Sequence, residues 1–189
     1  MKMALFGGTF NPLHLGHLNL AEELRTEYGY DQVIFVPAFS PPHKTVEHDT
    51  DPQLRLKMVR RAVEPAGFLV DDCEINRKGV SYTLDTVKHI YKAYPVSGRL
   101  SLVIGDDLLE GLTTWHSWEE LISLVHLVIA RRVSNGKLPC EWPHTYLDNM
   151  LFPVSSKDVR ERVRGGRAFR FLVPESVYDR ISSEGLYRQ

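Results

Sequence analysis

Between a short apolar run, Met3 to Phe6, and an amphipathic stretch beginning at His17, the chain carries Gly7-Gly8-Thr9-Phe10-Asn11-Pro12-Leu13-His14-Leu15-Gly16-His17. No other stretch limits the fold so tightly. The apolar run reads as a buried first strand. In the following segment Leu18, Ala21 and Leu24 fall on one side of a helix, and Glu22, Glu23 and Arg25 on the other. A strand, a Gly-rich turn and a helix start form an anion-binding device, because unpaired amides and the positive end of the helix macrodipole converge there. Two glycines let the backbone come close to a ligand, and Pro12 stiffens the loop. His14 and His17 are three apart, so one helical turn projects both rings from the same face. Gly-Gly after a strand is also an ordinary turn. Paired histidines also ligate metals, but no Cys, Asp or Glu sits nearby to complete such a site. The string is neither a P-loop nor the G-x-G-x-x-G of dinucleotide-binding folds.

Further strands and helices alternate along the chain. Gln32 to Val36 reads as a second strand, and the spacing from the first implies a right-handed βαβ unit in a parallel sheet. Ala38 to Thr50 lacks periodicity and reads as a ligand-side loop. In the next helix, Pro52 to Val63, capped by Asp51 or Asp49, Leu54, Met58 and Val59 are expected inside, with Arg55, Lys57, Arg60 and Arg61 in water. Strands are predicted from Phe68, at Leu100–Ile104, at Leu127–Ala130 and last at Met150–Phe152; helices at Leu84–Ala93, ending at Ile122, at Ser156–Arg164 and at Pro174–Ser183. Asn135 to Tyr146 reads as a surface loop. This alternation predicts a doubly wound α/β sheet with the C-terminal helices packed alongside.

A chain of 189 residues suits one domain. With a formal net charge of -1, any phosphate-binding charge must be local, and attraction to nucleic acid or an anionic membrane is not indicated. The longest apolar stretch, Leu121 to Ala130, is broken by Ser123 and His126 and falls short of the ~20 residues a membrane span needs. Cys73 and Cys140 lack metal spacing and read as reduced packing residues, as in a cytoplasmic protein.

Four other stretches carry chemistry. Ser40-Pro41-Pro42-His43-Lys44 is a rigid turn whose ammonium can reach a phosphate. Ser81-Tyr82-Thr83-Leu84-Asp85-Thr86 is a helix start, with Ser81 or Thr83 as cap and amides facing the ligand side. Gly105-Asp106-Asp107, with Thr114-Trp115-His116 further on, joins a strand end, carboxylates and an aromatic; Asp106 reads most simply as a cap. Ser155-Ser156 opens a helix that carries Arg160 about one turn on, so hydroxyl, amides and guanidinium can meet one anion.

Taken whole, the first string resembles the signature of the nucleotidyltransferase superfamily, the adenylyl- and cytidylyltransferases marked by H-x-G-H, with Asn11 where bacterial relatives more often carry Asp. The P-P-H-K and S-Y-T-x-D-T strings are similar to those of the nicotinate-nucleotide adenylyltransferase branch. Val154-Ser155-Ser156-Lys157-Asp158-Val159-Arg160 resembles I-S-S-T-x-[IV]-R, with Val for Ile and Lys157 for Thr. The resemblance spans nearly the whole chain, apart from about Ser134–Asp148. It implies a Rossmann-like nucleotidyltransferase fold, one domain over 1–189 with a helical part from about 155, and the transfer of an adenylyl group from ATP to nicotinate mononucleotide in NAD biosynthesis. By the same resemblance His14 and His17 are catalytic, and phosphates beside them should favour their protonated form. Gly7, Gly8, Thr9, Phe10, Lys44, Gly105, Asp107, Arg132, Ser155, Ser156 and Arg160 bind ATP. Tyr82, Thr83, Trp115 and His116 border the mononucleotide. Mg2+ is expected on the ATP phosphates, with no protein metal site. The competing readings are another adenylyltransferase of the superfamily, such as phosphopantetheine adenylyltransferase, and a nucleotide-binding module without turnover. A homo-oligomer and the choice between nicotinate and nicotinamide are left open.

Overall fold

The computed structural model describes residues 1–42, 50–132 and 136–188. In chain order the elements are β1 (Met3–Gly8), α1 (Leu15–Thr26), β2 (Gln32–Pro37), α2 (Pro52–Val63), β3 (Leu69–Val70), α3 (Cys73–Arg77), α4 (Thr83–Ala93), β4 (Leu100–Gly105), a 3-10 stretch (Asp106–Thr114), α5 (Trp118–Leu124), β5 (Val125–Ala130), β6 (His144–Tyr146), α6 (Ser156–Arg164) and α7 (Glu175–Glu184). The strands pair in parallel in the order β3-β2-β1-β4-β5-β6.

Each central strand is apolar throughout because both faces of the sheet are covered. Met3, Leu5, Ile34, Leu102 and Leu127 point to the face under α4 and α5, where Val87, Ile90 and Leu121 meet them. Ala4, Phe6, Phe35, Val103 and Val128 point to the other face, under α1 and α2, against Leu24, Val59 and Val63. A third cluster joins α6 and α7 to α2 through Val159, Val163, Val177, Ile181 and Met58. The chain runs outward from β1 to β3 and then returns to the other side of β1 as β4. That reversal splays the loops at the carboxyl ends of β1 and β4 apart, and a crevice opens between them, the usual ligand position in such sheets.

The structure corrects several expectations. The last strand is His144–Tyr146, not Met150–Phe152, and it takes up the end of the expected surface loop. As an edge strand it needs only one neighbour and no apolar run. Trp142 of that segment packs on the core, 5.0 Å from Trp118. Asp51 caps α2 by accepting from the Gln53 amide; Asp49 lies outside the described residues. The cap of α4 is Tyr82, because Ser81 Oγ is engaged by the amides of Phe39 and Ser40. Asp106 does not cap: it is buried and accepts from the Arg132 amide and the Tyr146 hydroxyl. Arg55 does not face water. Its relative exposure is 0%.

Burial and the neighbouring Asp71 push the Cys73 thiol up, so it stays protonated in its packed position. Among the described residues no helix is long and apolar enough to cross a membrane.

Candidate active site

The crevice is a cavity of about 1120 Å³, roomy for a small-molecule site. One wall is the loop from β1 to α1. Phe10 sits there with φ +47°, a left-handed backbone unusual for a side chain of its size. Packing holds it: its ring is buried 5.8 Å from Phe6 and 5.6 Å from Phe35. The ring leaves little room for a Cβ on Gly8, which would stand 3.0 Å from it, so any larger residue there would push the Phe10 ring out of its packed place. Strain fixed by surrounding packing is common where a backbone must present itself to a ligand.

His14 is the N-cap of α1, and its ring stacks on His17 with centroids 3.6 Å apart, as the spacing of three implied. His17 Nδ1 accepts from the His14 amide at 3.2 Å, which leaves the ring proton of neutral His17 on Nε2. Both ring nitrogens of His14 are buried without a hydrogen-bond partner, although the residue lines the cavity. Buried polar atoms are nearly always satisfied, so the exception points to a ligand that supplies the missing bonds. Gly16 makes room for this: a Cβ there would stand 3.2 Å from His14 Nδ1 and 3.3 Å from Phe152 Cβ.

Burial, with Arg132 adding to it, lowers His14 from the ordinary 6.5 to about 3. The resting form of His14 is therefore neutral; a polyphosphate bound beside it would oppose the shift and favour the protonated form. The folded state holds His14 neutral, whereas the unfolded chain takes up a proton below pH 6.5. Stability from this residue is thus complete above pH 6.5 and lost as pH falls toward about 3. Between pH 7 and pH 5 it should cost about 2 kcal/mol. In urea titrations at the two pH values, His14→Phe should lose less stability than the wild type by that margin. Equal losses in both would refute the linkage.

The opposite wall comes from the far end of the chain. Ser156 Oγ donates to the Pro12 carbonyl at 2.9 Å, and Arg160 Nη1 to the Asn11 carbonyl at 2.7 Å. Ser155 caps α6, its Oγ accepting from the Asp158 amide and donating to the Asp158 carboxylate. Lys157, the departure from the resembled pattern, is exposed and pairs with Glu161. His14, His17, Ser155, Ser156 and Arg160 all line the same cavity.

At the other end Tyr82 and His116 lie ring on ring, with centroids 4.3 Å apart, beside Thr83 and Trp115. Asp107 pairs with Arg132 at 3.1 Å across the end of β4. Gly105 permits this, since a Cβ there would fall 2.2 Å from Asp107 Oδ1 and 2.4 Å from Arg132 Cδ. Gly7, Gly8, Thr9, Phe10, Gly105, Asp107 and Arg132 are all on the cavity wall. Pro41 and Pro42 line it too, whereas His43 and Lys44 lie outside the described residues.

Sequence reading missed Glu74, Arg131 and Asn149 on this wall. Glu74 is buried and accepts from Thr86 Oγ1; burial raises its pKa despite that bond. Among the described residues one group of potential metal ligands, Asp71, Cys73 and His89, lies off the cavity, and its carboxylate is taken up by the Cys73 amide, Tyr94 and His89.

The cytidylyltransferase-like family model matches residues 5–183 of this chain. The chain is 38% identical over 188 residues to the probable nicotinate-nucleotide adenylyltransferase of Borrelia garinii subsp. bavariensis, covering 99% of this chain and 95% of that one. It is 41% identical over 200 residues to the protein of the same name from Desulfitobacterium hafniense, covering 99% and 96%. In fold it is similar to the Plasmodium falciparum nicotinic acid mononucleotide adenylyltransferase solved with NaAD, with a TM-score of 0.76 at 15% identity, covering 98% of this chain and 96% of that one.

Proposed function

The chain belongs to the cytidylyltransferase-like nucleotidyltransferases, in their nicotinate-nucleotide adenylyltransferase branch, and on that premise we propose how its cleft transfers the adenylyl group of ATP to nicotinate mononucleotide, a step in NAD biosynthesis. A 5′-phosphate oxygen of the mononucleotide attacks the α-phosphorus of ATP. As that P–O bond forms, the bond from the α-phosphorus to the oxygen bridging it to the β-phosphate breaks, and pyrophosphate leaves. The nucleophile is already an anion near neutral pH, so no protein base is needed to create it. Catalysis falls to positioning and charge stabilisation.

The observation that carries this reading is the meeting of two helix starts from opposite ends of the chain, α1 and α6, on one cavity beside two unsatisfied histidine nitrogens. In our reading the amides of the loop from Gly8 to Phe10 and the imidazoles of His14 and His17 receive the ATP phosphates. His17 donates through Nε2 to the α-phosphate oxygens that gain charge. The Ser155 and Ser156 hydroxyl protons are already donated, to Asp158 and the Pro12 carbonyl. At this helix start it is therefore the first-turn amides from Ser156 onward that, with Arg160 and Lys44, steady the remaining phosphates. Asp107 accepts from the ATP ribose, and Arg132 pairs with it. Tyr82, Thr83, Trp115 and His116 enclose the pyridine ring, whose carboxylate meets the first-turn amides of α4, which have no intrahelical acceptor.

Mg2+ is proposed to arrive on ATP. Of the carboxylates on the cavity wall, Asp107, Asp158 and Glu74 are already engaged, by Arg132, Ser155 and Thr86, and Glu110 is exposed to solvent. Phosphate oxygens and water would be its main ligands, which suits a hard ion that sheds water reluctantly. The chemistry it would supply there is neutralisation of charge on the triphosphate and on the pyrophosphate leaving group.

Incubating the protein with ATP, Mg2+ and nicotinate mononucleotide should yield pyrophosphate and nicotinate adenine dinucleotide in equal amounts. ATP consumption without the dinucleotide, or none at all, would remove the reading.

A further inference from the structure

We propose that Arg55 and Tyr187 are positioning residues that together strap the signature loop from beneath, turning its amides and its two histidines toward the ATP phosphates. Arg55, on α2, is fully buried. Its Nη1 donates at 2.7 Å to the carbonyls of both Thr9 and Ala38, its Nη2 to the Phe39 carbonyl at 3.1 Å, and its Nε to the Thr50 carbonyl at 3.2 Å. One guanidinium thus ties the loop after β1 to the loop after β2, the two sides of the same cavity mouth. The planar fork of arginine suits several fixed acceptors; a lysine ammonium offers no such geometry.

Tyr187 reaches the same loop from the far end of the chain. It is buried, with φ +62°, and its hydroxyl donates to Asn11 Oδ1 at 2.7 Å. Arg55 and Tyr187 thus hold neighbouring points of one loop, the Thr9 carbonyl and the Asn11 side chain. Burial pushes the phenol up to about 12, and it remains a donor throughout the neutral range. With the Thr9 carbonyl and the Asn11 side chain held on the underside, the peptide planes between Gly8 and Asn11 are held with their N–H groups free to turn to the cavity. Such held dipoles act without reorganisation cost when charge develops.

The inference rests on the loop being the ATP phosphate site. Tyr187→Phe keeps the ring and deletes one hydroxyl; Arg55→Lys keeps the charge and deletes the fork. For each, kcat should fall ~10-fold with KM for nicotinate mononucleotide unchanged, since a small misplacement of reacting groups costs rate rather than remote binding. The affinity for inorganic pyrophosphate, measured by calorimetry without turnover, should weaken several-fold. The double variant should lose little more than the worse single one, as linked residues do. Wild-type kcat and pyrophosphate affinity in folded Tyr187→Phe would overturn the proposal, as would a loss that merely tracks the unfolded fraction seen by circular dichroism. Should the wild-type protein form no dinucleotide while Tyr187→Phe still weakens pyrophosphate binding, the strap stands and the assigned reaction falls.

Discussion

Replacing His17 by alanine is expected to lower kcat by roughly 10²–10³, the effect of losing one donor to a developing oxyanion. The tautomer makes the case. Because Nδ1 accepts the His14 amide, neutral His17 carries its proton on Nε2, and the ring is held by stacking on His14 and edge contact with Phe10 at 5.1 Å. A donor held this firmly loses no rotamer freedom as the transition state forms. Since it acts where charge grows, KM for either substrate should move much less than kcat. His17→Gln, which keeps an N–H donor at a similar reach but on a flexible arm, should recover part of the rate. A wild-type kcat in His17→Ala would take the residue out of the mechanism.

Discrimination between the two pyridine mononucleotides is the second large effect, with kcat/KM expected to favour nicotinate over nicotinamide mononucleotide by about 10² or more. A carboxylate accepts from the α4 first-turn amides and meets the positive end of the helix dipole. The carboxamide of nicotinamide either accepts with one oxygen only or turns an NH2 against those donors. Sites that hydrogen-bond a specific group reject analogues lacking it strongly, because the buried donors are left unpaired. Asp85 in the first turn opposes a carboxylate but is exposed, so its field is screened. A ratio near one would mean that the pyridine substituent does not meet these amides.

Several features were legible because they depend on neighbours in sequence. The run from Gly7 to His17 named the loop and the stacking partners, since a spacing of three fixes which side chains meet. The apolar runs named the central strands, because a strand covered on both faces has no polar side to confuse the pattern. Arg55 was misread because charge usually marks the wet side of a helix. Its position four before Val59 put it on the buried stripe, and that spacing was the signal available. The edge strand β6 left no apolar trace, and the apolar Met150–Phe152 belongs to the cleft rim, with Phe152 lining it.

Local order in the chain therefore determined the signature loop, the alternation of strands and helices, and with them the sheet and its crevice. Tertiary structure alone decided that Ser156, Arg160 and Tyr187 grip Asn11 and Pro12 from more than 140 positions away, and that Arg55 is a buried tie rather than a solvated charge. The reason is physical: hydrophobic periodicity records which face of an element is covered, whereas the partner of a buried donor is set by how the covered faces stack, and no short-range pattern carries that.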